Sequence, residues 1–195
     1  MINPIINSSK YVIFSVVGTH ANEEIGHIFA RKIAEIRRFG KTYWAYRSSI
    51  ANPKAVQKFG LKAEKEKKAV VCLFIGASSE GVTKPTKGSQ KALWHSLNKK
   101  DWLRIPNDNL ITGSNRSSFA LVLNKIDLMD NAYIDLWRYS QNNNPEKAVR
   151  IMLGSSTICC LKHSSENDPS KMKSRYRRVL AVGTLVSPYG VWLKY

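Results

Sequence analysis

Residues 11–47 read YVIFSVVGTHANEEIGHIFARKIAEIRRFGKTYWAYR. The first seven are β-branched or aromatic and apolar on both faces apart from Ser15, the pattern of a buried central strand. Gly18-Thr19-His20 breaks that strand. Asn22 is placed to cap a helix, and Glu23 and Glu24 fall in its first turn, where the helix dipole favours carboxylates. Ile25, Ile28, Phe29, Ile33, Ile36 and Phe39 recur at helical spacing as one apolar stripe, with Arg31, Lys32, Glu35, Arg37 and Arg38 mostly off it. Gly40 supplies a left-handed stop behind two arginines. Lys41 to Arg47 then alternates as a strand, with Tyr43, Ala45 and Arg47 on one face and Thr42, Trp44 and Tyr46 on the other.

Outward from this unit, Asn52-Pro53 opens a short helix over about 53–66 whose Lys/Glu mixture marks a solvated face. Ala69 to Gly76 is a second buried strand. Residues 77–91 are polar with no apolar periodicity, and a long loop of this kind is a common place for function. A basic segment with Trp94 and Trp102 follows, then a turn region over 106–113 and a strand from Phe119 to Ile126. Residues 131–140 suit a short helix or an edge strand. Gln141 to Pro145 reads as a polar linker, and Val149 to Leu161 as one strand or a pair. Residues 163–175 form a polar, basic loop, and strands over 179–186 and 191–193 flank a turn at 187–190. This gives about six or seven strands without regular β/α alternation after residue 76, which points to α+β. The expected architecture is a single domain over residues 1–195: a mixed, barrel-like sheet with one long helix and one or two short helices packed outside.

The chain carries 31 Lys and Arg against 14 Asp and Glu, a formal charge of +17. Such a field draws polyanions, nucleic acid first among them. The excess is uneven: residues 1–104 hold 19 basic and 7 acidic side chains. Three cysteines form no motif, and with no signal peptide the expectation is a reducing, intracellular setting. No apolar window reaches the length of a membrane span.

Asn124-Lys125-Ile126-Asp127, behind an apolar strand, has the form of the guanine-reading NKxD element. A GTPase also needs a phosphate-cradling G-x-x-x-x-G-K-[ST] loop upstream, which is missing, so the segment is read as a strand ending in a polar turn. His20, His27, His95 and His163 have no metal-ligand spacing, and Asp127, Asp130 and Asp135 suit a solvated turn better than a metal cluster. No cofactor is expected.

Aromatics interleaved with positive charge carry more weight. Tyr43, Trp44 and Tyr46 lie between Lys41 and Arg47. Trp94 and Trp102 lie among Lys91, Lys99, Lys100 and Arg104. Tyr176 lies among Arg175, Arg177 and Arg178. Aromatic faces stack on unpaired or flipped bases while cations hold phosphates, although tryptophans are also ordinary core residues.

The order strand, helix, Gly40-Lys41-Thr42 turn and strand ending in Arg47 resembles the opening of PUA-like domains, especially their ASCH and EVE branches. Val70 to Ser78 and Val179 to Val186 stand where that family has further barrel strands. The resemblance implies RNA or DNA binding, with a flipped or modified base in an aromatic pocket. ASCH hydrolases combine a lysine, a threonine and a glutamate, and Ala45 stands where that glutamate is expected, so binding is preferred over catalysis. Thr19, His20, Asn22, Lys41, Trp44, Arg47, Ser78 and Ser79 are the expected base-side residues, with Trp94 and Trp102 as further aromatics. Lys84, Lys87, Arg175, Arg177 and Arg178 are expected to hold the backbone. The alternatives are an enzyme acting on nucleic acid or a nucleoside, through Lys41, Thr42 and His20, and a ribosome-associated interaction protein.

Overall fold

The computed structural model describes residues 9–17, 24–46, 48, 51–76, 110–111, 119–142, 144–148, 157–162 and 176–193. The elements in order are β1 (Tyr11–Val17), α1 (Ile25–Phe39), β2 (Thr42–Tyr46), α2 (Pro53–Lys65), β3 (Val70–Gly76), β4 (Leu110–Ile111), β5 (Phe119–Asp135), a 3₁₀ turn (Leu136–Arg138), β6 (Tyr139–Gln141), β7 (Asn144–Ala148), β8 (Thr157–Lys162) and β9 (Tyr176–Leu193). This is the α+β class expected. Nine strands form one sheet in the order β2-β5-β9-β3-β1-β8-β6-β7, with β4 beside β9. The barrel expectation is corrected: β2 and β7 are the two ends of that path and do not pair, so the sheet is open.

β1 lies at the centre, parallel to β3 and antiparallel to β8. Its odd residues Tyr11, Ile13 and Val17 pack with the helices, while Val12 and Phe14 pack into a second core on the opposite face. That two-sided burial is why β1 and β3 read as continuous apolar runs rather than alternating ones. The second core is closed by Ala132, Ile134, Leu136 and Tyr139 from the far end of β5 and its sequel.

β5 and β9 are much longer than their sequences suggested, at 17 and 18 residues. Strand pairing continues through Lys125, Ile126 and Asp127 after an irregularity at Asn124, so that segment is not a terminal turn. Residues 131–135 are strand rather than helix, and the supposed linker at 141–145 leads into β7. The turn expected at 187–190 is instead an irregularity within β9: Leu121 pairs with Gly190 and Leu123 with Leu185, so the segment between bulges out opposite Val122. Tyr189 adopts φ +65° there. Bulges of this kind bend a strand without ending its pairing.

α1 ends as expected at Gly40, whose φ is +75° and whose N–H donates to Ile36 O at 2.7 Å. Its start differs: Glu24 holds the cap position without a side-chain capping bond, and no acidic residue lies in the first turn. α2 starts on Pro53 behind Asn52, whose side-chain oxygen accepts from Ala55 N–H at 3.0 Å. No helix among the described residues is long and apolar enough to cross a membrane.

Candidate functional site

The inner face of α1 is not the pure apolar stripe expected from its spacing. Lys32 and Glu35 are on it, fully buried, while Ile33 and Ile36 are only half-buried. Lys32 Nζ donates to Glu35 Oε2 at 2.9 Å, and Thr42 Oγ1, from the first residue of β2, donates to the same oxygen at 2.5 Å. Glu35 Oε1 is buried with no hydrogen-bond partner. Burial pushes the Glu35 carboxyl above the usual carboxylate range, with Lys32 and the Thr42 hydroxyl opposing the shift. The result is an amine, a hydroxyl and a carboxylate with one oxygen in reserve. Sequence reasoning missed it because charged residues were assigned outward by default. The one available signal was their spacing: Lys32 and Glu35 stand four and seven residues beyond the buried Ile28, on its side of the helix.

Beside this cluster Trp44 is core. Its ring packs 4.3 Å from Phe74 and 5.4 Å from Phe29, centroid to centroid, with 8% of its surface exposed. The expectation of Trp44 as a base-stacking residue is therefore corrected: three aromatic rings from α1, β2 and β3 satisfy one another. Tyr43 and Tyr46 are buried as well, on opposite faces of β2, as their alternation required. Lys41 is exposed, with its ammonium 5.9 Å over the Tyr43 ring.

Aromatic surface does occur beside arginine elsewhere. At the far end of the β5–β9 ladder, Tyr133 pairs with Arg178 and Asp135 with Tyr176. Paired residues share a face of the sheet, and diagonal neighbours lie about 7–8 Å apart. Ala132, Ile134 and Val179 turn inward, which leaves Tyr133 and Tyr176 37% and 46% exposed around Arg178. The Arg178 Nε is buried without a hydrogen-bond partner. Asp135, the one acid of the group, is drawn toward Arg138 at 3.7 Å. Arg177 lies on the other face, opposite Ile134, with Nη1 donating to Tyr176 O at 3.2 Å. Tyr133 was not among the expected contacts, although the alternation of Ala132, Tyr133, Ile134 and Asp135 points it outward once the segment is read as strand.

Of the other expected site residues, Thr19, His20, Asn22, Arg47, Ser78, Ser79, Lys84, Lys87, Trp94, Trp102 and Arg175 lie outside the described residues. The NKxD segment has no nucleotide-site geometry in what is described. Asn124 and Lys125 are exposed in mid-strand, and Lys125 pairs with Asp127 at 2.9 Å. Cys72, Cys159 and Cys160 are buried thiols in no disulfide, all pushed upward by burial, which disfavours the reactive thiolate.

No protein-family model, curated protein or solved structure matches the chain.

Proposed function

We propose that the chain is a nucleic-acid-binding domain that holds an RNA or DNA strand on the β5–β9 face. The reading is supported by one arrangement above all: Arg178 set between two exposed tyrosines on a chain of formal charge +17. Tyrosine faces stack on unpaired bases at about 1–3 kcal/mol per base, and a guanidinium takes a phosphate or stacks alongside. The platform is strand-borne, so the two rings are held at fixed spacing. With Trp44 withdrawn into the core, the aromatic contribution is an open stacking surface rather than the caged pocket of the PUA-like comparison. The PUA-like relationship itself belongs to the proposal, resting on the strand–helix–strand order through Gly40. Binding weakens steeply as salt rises, because phosphates neutralised by lysine and arginine release their counterions. The test is titration of single-stranded RNA and DNA at several salt concentrations, with wild type and with Tyr133→Ala/Tyr176→Ala. The proposal expects salt-dependent binding that the double variant weakens at least tenfold. Equal binding by both proteins would reject the platform, and no binding by either would reject the reading.

A second reading, an enzyme acting on nucleic acid or a modified nucleoside, is favoured by the Lys32–Glu35–Thr42 cluster. Ala45 supplies no carboxylate on β2, but Glu35 brings one to Thr42 from α1. A hydroxyl bonded to a carboxylate beside an amine is the set a nucleophilic or acid–base step needs. Substrate access would require this sealed site to open. Turnover of nucleosides or oligonucleotides that Glu35→Gln abolishes while the fold is kept would favour it.

A further inference from the structure

α2 presents two contrasting faces. Val56, Phe59, Gly60 and Ala63 are buried against the sheet, and Gln57 Nε2 donates to Gly190 O at 2.7 Å. Gly60 lies so close to β9 that an added Cβ would overlap the Tyr189 ring. The helix is thus clamped on its inner side, and its outer side has a fixed orientation.

That outer side is a ridge of lysines. At about 100° per residue, Lys54, Lys58 and Lys65 fall within about 40° of arc, with Lys62 about 40° further round. All four are exposed. The ridge rises about 16 Å from end to end, long enough for several consecutive phosphates of a strand that carries one per 3.4 Å of duplex axis.

The acids of this region offset it only in part: both bond to groups off the ridge, and of the two Glu66 also feels the Lys62 charge. Glu64 sits off one border of the ridge and accepts from the Tyr189 hydroxyl at 3.2 Å. Glu66 sits off the other and accepts from Lys10 at 2.7 Å. A face selected only for solubility usually sets Glu and Lys four apart, which stabilises a helix; here Lys54–Lys58 and Lys58–Lys62 set like charges at that spacing, which does the opposite, against one opposite pair, Lys62–Glu66. A bound polyanion would remove this repulsion.

We infer that the lysine ridge of α2 is a phosphate-binding surface for the backbone of a nucleic-acid strand. This rests on the nucleic-acid reading above and names a second surface for it, on a different element from Tyr133 and Tyr176. The charge chemistry commits the ridge to phosphate, and its position on a clamped helix gives the phosphates a fixed track.

The test compares wild type, the quadruple variant Lys54→Gln/Lys58→Gln/Lys62→Gln/Lys65→Gln and the corresponding quadruple Lys→Arg variant, each titrated with single-stranded RNA and DNA over a range of salt. Vesicles containing phosphatidylserine form a parallel arm. All four side chains are exposed, so the melting temperature serves as the fold control and is expected to hold. The inference expects the Gln variant to lose about 0.7 of salt slope per lysine, about 2.8 in all, and the Arg variant to keep the wild-type slope. An unchanged slope in the Gln variant, with wild type binding normally, overturns the ridge and leaves the nucleic-acid reading standing. Loss of vesicle binding with unchanged nucleic-acid binding also overturns it and assigns the ridge to a membrane surface. A wild type that binds neither RNA nor DNA removes the nucleic-acid reading, and the ridge inference with it.

Discussion

Lys32 and Glu35 form an ion pair, Nζ to Oε2 at 2.9 Å, with 1% and 0% of their side chains exposed. Removing one partner from such a pair leaves a buried charge without compensation, which costs about 3–5 kcal/mol. Lys32→Met is therefore expected to destabilise the fold by about that amount in urea or thermal denaturation. Lys32→Met combined with Glu35→Gln leaves no charge behind and should recover a large part of the loss. A double variant as unstable as the single one would show that packing, rather than the charge pair, sets the cost.

Glu35 also sets a pH dependence. Its folded pKa lies above its unfolded value because burial outweighs the favourable Lys32 and Thr42 contacts. The folded state therefore holds the proton more tightly than the unfolded chain, and this contribution to stability is fully present below the ordinary carboxylate pKa. It is lost as pH rises from that range through the raised folded pKa. The urea midpoint of wild type is expected to fall over this window relative to Glu35→Gln, and parallel pH profiles for the two proteins would contradict the assignment.

Gly60 and Tyr189 make a similarly specific pair. A Cβ at residue 60 would overlap the Tyr189 ring at atoms close to its own Cβ, so something must shift. Gly60→Ala is expected to cost about 1–3 kcal/mol as an overpacked site. Tyr189 itself sits at φ +65°, a conformation glycine adopts without strain. In a Tyr189→Gly background the ring is gone, and Gly60→Ala should become neutral or mildly stabilising through its better helix propensity. A double-mutant cycle by thermal denaturation reads this coupling directly.

Those elements whose burial follows one simple pattern were legible in the sequence. β1 and β3 are buried on both faces, and their unbroken apolar runs said so. α1 ended where Gly40 placed its stop, and α2 began where Asn52 and Pro53 placed its start. What escaped had conflicting local signals. The polar stretch through Asn124 to Asn131 and the Ser187–Gly190 segment look like turns, yet β5 and β9 pair at twelve registered positions on either side of these irregularities, which keeps both within one ladder. Lys32 and Glu35 escaped because a charge is buried only when its partner is close by in space, and Thr42 is ten residues from Lys32 in sequence. Trp44 was equally legible as core or as contact, since its neighbours Phe29 and Phe74 come from other elements.

Trp44 gives the sharpest contrast with the proposed platform. Its ring is enclosed by Phe29 and Phe74, whereas Tyr176 leaves nearly half its surface exposed beside Arg178. Trp44→Ala is expected to cost about 3–5 kcal/mol of stability through the cavity it opens. Trp44→Phe keeps most of the packing, so it should lower stability modestly and leave nucleic-acid affinity unchanged. Tyr176→Ala should behave in the opposite way, with the melting temperature nearly constant and affinity for a single strand reduced by about 1–3 kcal/mol, roughly 5- to 150-fold. Affinity that follows Trp44 and ignores Tyr176 would move the binding surface from the β5–β9 face to the α1–β2 junction.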